Sequence, residues 1–251
     1  MRTESRHEAT HPIVDIRRGD ERFHTRIDWL DSRHSFSFSH HYDPSNTHHG
    51  LLLVHNDDVV KPDTGFRTHP HRDMEIVTWV LDGELEHKDS EGHSGIIYPG
   101  LAQRMSAGTG IWHSEMNPKD DKDVHFIQMW VPPDQERVTP GYEQLDINGE
   151  LNKGGLVPIV SGRGHHAAIS IRQQGAVLWG GRLRPGDTVT VPDAPYVHVF
   201  IAKGSAELEE AGRLLAGDAA RLTAAGARRL SADTALGAEV LIWETNEALE
   251  S

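Results

Sequence analysis

The sequence predicts an all-β chain made of two copies of one sandwich or barrel unit, and three features carry that prediction. Short runs rich in Val, Ile, Trp and Phe, such as "MEIVTWVLDGELEHKD", "VHFIQMWVPP" and "AEVLIWETN", are separated by Gly, Pro, Asp and Asn. Strands of that length with frequent turn signals build sandwiches and barrels. Long stretches lack helical periodicity; short helices are expected only at the periphery, in "DERFHTRIDWLDS" and around Tyr142. Finally, the chain repeats itself. "IVTWVLDGELEH" lies over "VFIAKGSAELEE" with Gly83 on Gly204, an offset of 121, and "IIYPGLAQRMSAGTG" lies over "RLLAGDAARLTAAGA" with Gly100 on Gly217, an offset of 117.

The join between the copies is expected near residues 135–155, where "PPDQERVTPGYEQLDINGELNKGG" is polar and rich in turn formers. This divides the chain into domains 1–138 and 139–251. Asp82-Gly83, between two apolar runs, reads as a hairpin turn.

Composition narrows the function classes. The 251 residues include no cysteine, so disulfides, thiolate nucleophiles and thiolate metal sites are excluded together. The formal net charge of −13 disfavours nucleic acid and anionic membranes as direct partners. The N-terminal stretch "MRTESRHEATHPIVDIRRGDE" has no apolar core, and no run approaches a membrane span, so a cytoplasmic location and a monomer are expected. Histidine is abundant, at 18, and His34, His40, His41, His48, His49, His55, His69 and His71 crowd one stretch. Most of these read as surface or loop residues; His40, His41, His48 and His49 read as solvated loop histidines, the alternative being that they rim a pocket entrance. Trp79, Trp130 and Trp112 read as packing residues, Trp112 pointing away from its neighbour His113.

Two short segments carry chemistry. "THPHRDME" places His69 and His71 two residues apart, and "WHSEMN" does the same for His113 and Glu115. In a strand such pairs share a face, roughly 6.6 Å apart, and can lean onto one ion at about 2.0–2.1 Å. The repeat offers an internal comparison. The offset of 121 places Thr190 and Pro192 where the first copy has His69 and His71, and the offset of 117 places Leu230 and Ala232 at His113 and Glu115. All four candidate ligands are absent from the second copy while the glycine framework stays, which predicts one metal per chain.

The segments "GFRTHPHRDMEIVTWVLDGELEHKDSEGHSG", "PGLAQRMSAGTGIWHSEMNP" and "WLDSRHSFSFSHHYDP" resemble pirin-like proteins of the cupin superfamily, specifically over roughly residues 25–135. The second half is more loosely similar to the C-terminal domain of bacterial members described as quercetin 2,3-dioxygenases. The resemblance implies a bicupin of two β-barrel (jelly-roll) domains, with metal only in the N-terminal barrel and His69, His71, His113 and Glu115 as its ligands. Many cupins instead use a glutamate soon after "HxH". Here that is Glu75, which shares the strand parity of His71 and is the alternative ligand, or else a supporting or simply buried carboxylate. Asn117 is a candidate for orienting a ligand, or an ordinary turn residue.

Three imidazoles and a carboxylate suit a divalent transition metal. Fe(II) is favoured, with Ni, Cu, Zn, Mn or Co also compatible, and Ca²⁺ and Mg²⁺ disfavoured. The activity implied by the resemblance is oxidative ring opening of a flavonol such as quercetin by dioxygen, with release of carbon monoxide and Glu115 as the base. The competing class is a pirin-type regulator that binds a protein partner and uses the metal as a redox sensor. A third reading is an isomerase or another cupin activity on a small metabolite.

Overall fold

A computed structural model describes residues 12–166 and 168–249. Residues 1–11 of the stretch expected to carry no leader lie outside the described residues. The first half contains β1 (Ile13–Arg17), β2 (Phe23–Arg26), β3 (Leu30–His34), β4 (Val54–Val60), β5 (Gly65–His71) and β6 (Glu75–Asp82). It continues with β7 (Leu85–Asp89), β8 (Ser94–Ile97), β9 (Leu101–Ser106), β10 (Ile111–Met116) and β11 (Val124–Val131). β12 (Gly141–Asp146) and a single turn of helix, α1 (Asn148–Leu151), lead into the second half. There β13 (Val157–Ser161), β14 (Ile169–Ser170), β15 (Ala176–Leu183), β16 (Thr188–Val191) and β17 (Tyr196–Leu208) are followed by β18 (Gly212–Leu215), β19 (Ala219–Thr223), β20 (Arg228–Ala232) and β21 (Ala238–Thr245). At 54 % strand and 3 % helix the fold is all-β, as expected. The two expected helices are corrected. "DERFHTRIDWLDS" becomes a 3₁₀ turn at Gly19–Glu21 followed by β2 and the start of β3, and Tyr142 lies in β12. Pairing along β4 and β9 outweighs the weak local helical pattern in both places.

Strand pairing shows the repeat directly. In the first half, β10 pairs with β5 and β7, β7 with β8, and β6 with β9 and β11, while β11 also pairs with β4 and β4 with β3. In the second half, β20 pairs with β16 and β17, β17 with β18, β19 and β21, while β21 also pairs with β15 and β15 with β13. The second list is the first with β17 standing for β6 and β7 together. The Asp82-Gly83 turn is therefore not a hairpin: β6 and β7 do not pair, and the turn carries the chain from a seven-stranded sheet into a four-stranded one. Gly83 does this at φ +82°, where an added Cβ would lie 2.7 Å from the Asp123 carbonyl oxygen. In β17 the same transition is made without a break, by a register shift between Ile201 and Lys203.

The edge strands are exchanged. β12 pairs with β9 and completes the first barrel's large sheet, whereas β1 pairs with β19 and completes the second barrel's. The expected division at 138/139 falls between β11 and β12, so by pairing each barrel takes one edge strand from across it.

The largest apolar cluster lies between the barrels, where Phe36, Trp79, Ile127 and Met129 of the first half meet Phe200, Leu241 and Trp243 of the second. Trp79 Nε1 donates to Glu239 Oε1 at 3.0 Å across this boundary. The second barrel is filled by its own cluster, which includes Val191, Leu230 and Ala232, with Val189 packed against it. Register places Val189 opposite Leu230, as His69 lies opposite His113. The counterparts of His69 and His71 are thus Val189 and Val191, one residue earlier than Thr190 and Pro192; aligning glycines beyond β16 had shifted the phase. Among the described residues no helix is long and apolar enough to cross a membrane.

Candidate metal centre

β5 is the edge of the four-stranded sheet, which is why Pro70 can sit between two histidines without costing a ladder hydrogen bond. His69 and His71 alternate with Pro70 and so share the face turned into the barrel. β10 brings His113 opposite His69, and a bulge then sets Glu115 opposite Phe66, three residues back along β5. The ring centroids of His69, His71 and His113 lie 4.5–5.0 Å apart. One ring nitrogen from each falls within 4.8 Å of the others.

The free lone pairs point to a ligand. His69 Nδ1 donates to the Arg67 carbonyl at 2.8 Å, which leaves its Nε2 unprotonated. His71 Nε2 and His113 Nε2 are buried without a hydrogen-bond partner. Burial lowers the pKa of His113 to about 3, helped by His69 and His87, and that of His71 to about 4, helped by His113 and His69. Imidazoles with unused, converging nitrogens fit a divalent transition metal by the chemistry of the donor set.

Glu115 stands beside this group rather than in it. Its buried carboxylate accepts from Gln128 Nε2 at 2.6 Å and from Thr78 Oγ1 at 3.3 Å. Trp130 Nε1 donates to Gln128 Oε1 at 3.1 Å, so the amide must turn its NH₂ toward Glu115. Glu75 is placed elsewhere. It accepts from Ser106 Oγ at 2.8 Å and the Arg172 backbone N–H at 3.2 Å, facing the second half, and burial raises its pKa. The shared parity with His71 is broken by the turn through Asp73, at φ +45°.

Behind the histidines opens a cavity of about 570 Å³. His69, His71 and Glu115 line it, with aromatic walls from Trp29, Phe38, Phe66 and Trp130. Its polar side comes from β3 and β4: Ser32 Oγ donates to Asp58, and His34 Nδ1 meets Asn56 Oδ1 at 2.9 Å. Burial pushes the Asp58 carboxyl up to about 7. None of Trp29, Phe38, Phe66, Asp58 or Gln128 was singled out from sequence. For Asp58 alone the usable signal was "VHNDDVV", a strand whose apolar frame is interrupted by polar residues, His55, Asn56 and Asp58, that end up buried.

Other histidines divide. His40 is exposed at the cavity mouth, whereas His49 is half-buried, bonded to the Val197 and Leu222 carbonyls at 3.2 Å. It is an inter-barrel residue rather than a solvated loop histidine. Trp130 packs against the core cluster of Ile76, Met105 and Ile111 while also facing the cavity, its ring 4.9 Å from His71, whereas Trp112, turned away from the site as expected, is 54 % exposed and does not pack as expected. Asn117 bonds the Val60 and Lys122 carbonyls and serves the turn.

Two barrels, one carrying converging histidines and the other filled with aliphatic side chains, define a bicupin with, among the described residues, a single metal-type centre. Residues 17–131 match the Pirin family and residues 158–245 the quercetinase C-terminal cupin domain. A Mycobacterium tuberculosis protein provisionally named a quercetin 2,3-dioxygenase is 58 % identical over 237 residues, covering 94 % of this chain and 96 % of its own. The Escherichia coli K12 quercetin 2,3-dioxygenase is 48 % identical over 141 residues, 56 % of this chain and 61 % of that one. The crystal structure of the bacterial pirin YhhW from Escherichia coli in complex with nickel(II) superposes with a TM-score of 0.86 at 32 % identity, covering 94 % of this chain and all of that one. The chain belongs to the pirin family.

Proposed function

We propose that the chain is a metal-dependent dioxygenase that opens the heterocyclic ring of a flavonol such as quercetin, consuming dioxygen and releasing carbon monoxide. The observation that carries this reading is the convergence of three unpaired imidazole nitrogens at a cavity with four aromatic walls. His69, His71 and His113 would hold the ion, Fe(II) first, and Glu115, which lines the same cavity outside the histidine cluster, is the proposed fourth ligand. The nickel-bound relative makes Ni(II) the next metal to test. A divalent ion there supplies a Lewis-acid centre.

The side chains of the pocket account for the rest. Trp29, Phe66 and Trp130 offer flat faces to a planar polyphenol, and Ser32, Asn56 and Thr25 offer hydrogen bonds to its hydroxyls. Glu115, held by Gln128 and Thr78, is the acceptor for the 3-hydroxyl proton.

The test is aerobic incubation of metal-loaded protein with quercetin, following flavonol absorbance and carbon monoxide. Loss should require metal and vanish in His113→Ala, while Glu115→Gln should retain part of the metal and lose most turnover. Unchanged turnover in Glu115→Gln would remove the base role. Failure with every metal, together with a partner captured in only one redox state, would replace the enzyme with the sensor reading.

A further inference from the structure

Behind His113, on the side away from the cavity, lies a buried group that the proposed reaction does not use. His113 Nδ1 is 3.4 Å from His87 Nδ1, and His87 Nε2 is 3.1 Å from Asp89 Oδ2. The side chains of His87 and Asp89 are both 0 % exposed. Strand register builds the arrangement, since β10 and β7 pair His113 with Asp89 and Glu115 with His87. The ring of Tyr142, on the exchanged strand β12, lies 4.8 Å from the His87 ring and stacks on His93 at 5.5 Å.

With both rings neutral, the hydrogen bonds have one consistent direction. Asp89 Oδ1 accepts the backbone N–H groups of Glu91 and His93, both at 3.0 Å, and His93 Nδ1 approaches the same carboxylate. A carboxylate so surrounded only accepts, so His87 Nε2 must carry the proton facing Oδ2. His87 Nδ1 then holds a lone pair and accepts from His113 Nδ1–H. That leaves the buried, unpartnered Nε2 of His113 as the bare nitrogen at the centre.

We infer that Asp89 and His87 are positioning residues that set the tautomer of His113, so that the nitrogen facing His69 and His71 is always the one free to bind a metal. This rests on the metal reading above and adds a determinant of affinity outside the ligands. It also makes a counter-intuitive ordering of variants. In Asp89→Asn the side-chain oxygen stays with the Glu91 and His93 amides, because those donors need an acceptor, and the new NH₂ faces His87. Each bond in the chain then reverses, and His113 is protonated on the nitrogen that should bind. Asp89→Ala leaves both rings free to choose.

The experiment has two arms. Imidazole ¹⁵N NMR of metal-free protein reads the tautomer directly, and Zn(II) competition against a chromophoric chelator reads affinity. The expected result is His113 protonated at Nδ1 in the wild type and at Nε2 in Asp89→Asn, with Zn(II) affinity falling at least about tenfold and further than in Asp89→Ala. A merely structural role predicts the opposite order, since Asn is the closer mimic. Wild-type His113 protonated at Nε2, or Zn(II) binding as tight in Asp89→Asn as in the wild type, would overturn the inference. The wild-type tautomer needs no variant to fold. Absence of Zn(II) binding by the wild type with the Nδ1–H tautomer present would instead sink the metal reading and leave the proton order standing.

Discussion

Acid should weaken this protein through a histidine that has nothing to do with the metal. His55, on β4, packs between Phe200 at 4.4 Å and His198 at 4.9 Å, fully buried between the barrels. Its Nε2 has no partner, and its Nδ1 only grazes Ser35 Oγ at 3.5 Å. Burial, reinforced by the Arg22 charge, lowers its pKa to about 3. A histidine whose folded pKa lies below its unfolded value gives stability that is complete above the unfolded pKa and is lost as pH falls toward the folded one. The window therefore runs from about 6.5 down to the folded value. At pH 5 the unfolded chain has taken up the proton and the folded one has not, a cost of about 2 kcal/mol. His55→Leu, similar in volume and surrendering no good hydrogen bond, should remove that cost. Urea unfolding of chelator-treated wild type and variant at pH 7.5 and pH 5 measures it. The variant should lose about 2 kcal/mol less than the wild type between the two pH values. Asp58, with its pKa raised to about 7, acts in the opposite sense, but both proteins contain it and it cancels. Equal acid sensitivity in the two proteins would refute the reasoning.

Further perturbations separate framework from function. Leu230→Ala, in the filled second barrel, should cost about 2–5 kcal/mol by denaturant unfolding while leaving bound metal per chain unchanged. Trp79→Phe removes the donor to Glu239 across the inter-barrel boundary and should cost about 1–3 kcal/mol, read as a lower thermal midpoint without a change in Zn(II) affinity.

The all-β class and the duplication were legible because turn residues and apolar runs are local signals, and because glycines with positive φ, such as Gly83 and Gly204, recur at matching places. The three histidines were legible because a two-residue spacing has one meaning in a strand. What escaped was set by pairing between distant strands. The Asp82-Gly83 turn looks like a hairpin until β7 is found on a different sheet from β6. Glu75 has the parity of His71 only if the chain runs straight through Asp73, and it does not. His49 was misjudged, and the cavity-facing side of Trp130 was missed, because a residue type cannot say which wall it will face once two barrels meet.

The exchange of edge strands sets a timetable for biosynthesis. Ile13 pairs with Thr223, so β1 waits for a partner made 210 residues later. At about 5–20 residues per second that is about 10–40 s on the ribosome. Throughout that interval β1 has no ladder to join, and a nascent chain halted before β19 carries an orphan strand that can template association with its neighbours. Completion of the second barrel is thus also the event that fastens β1.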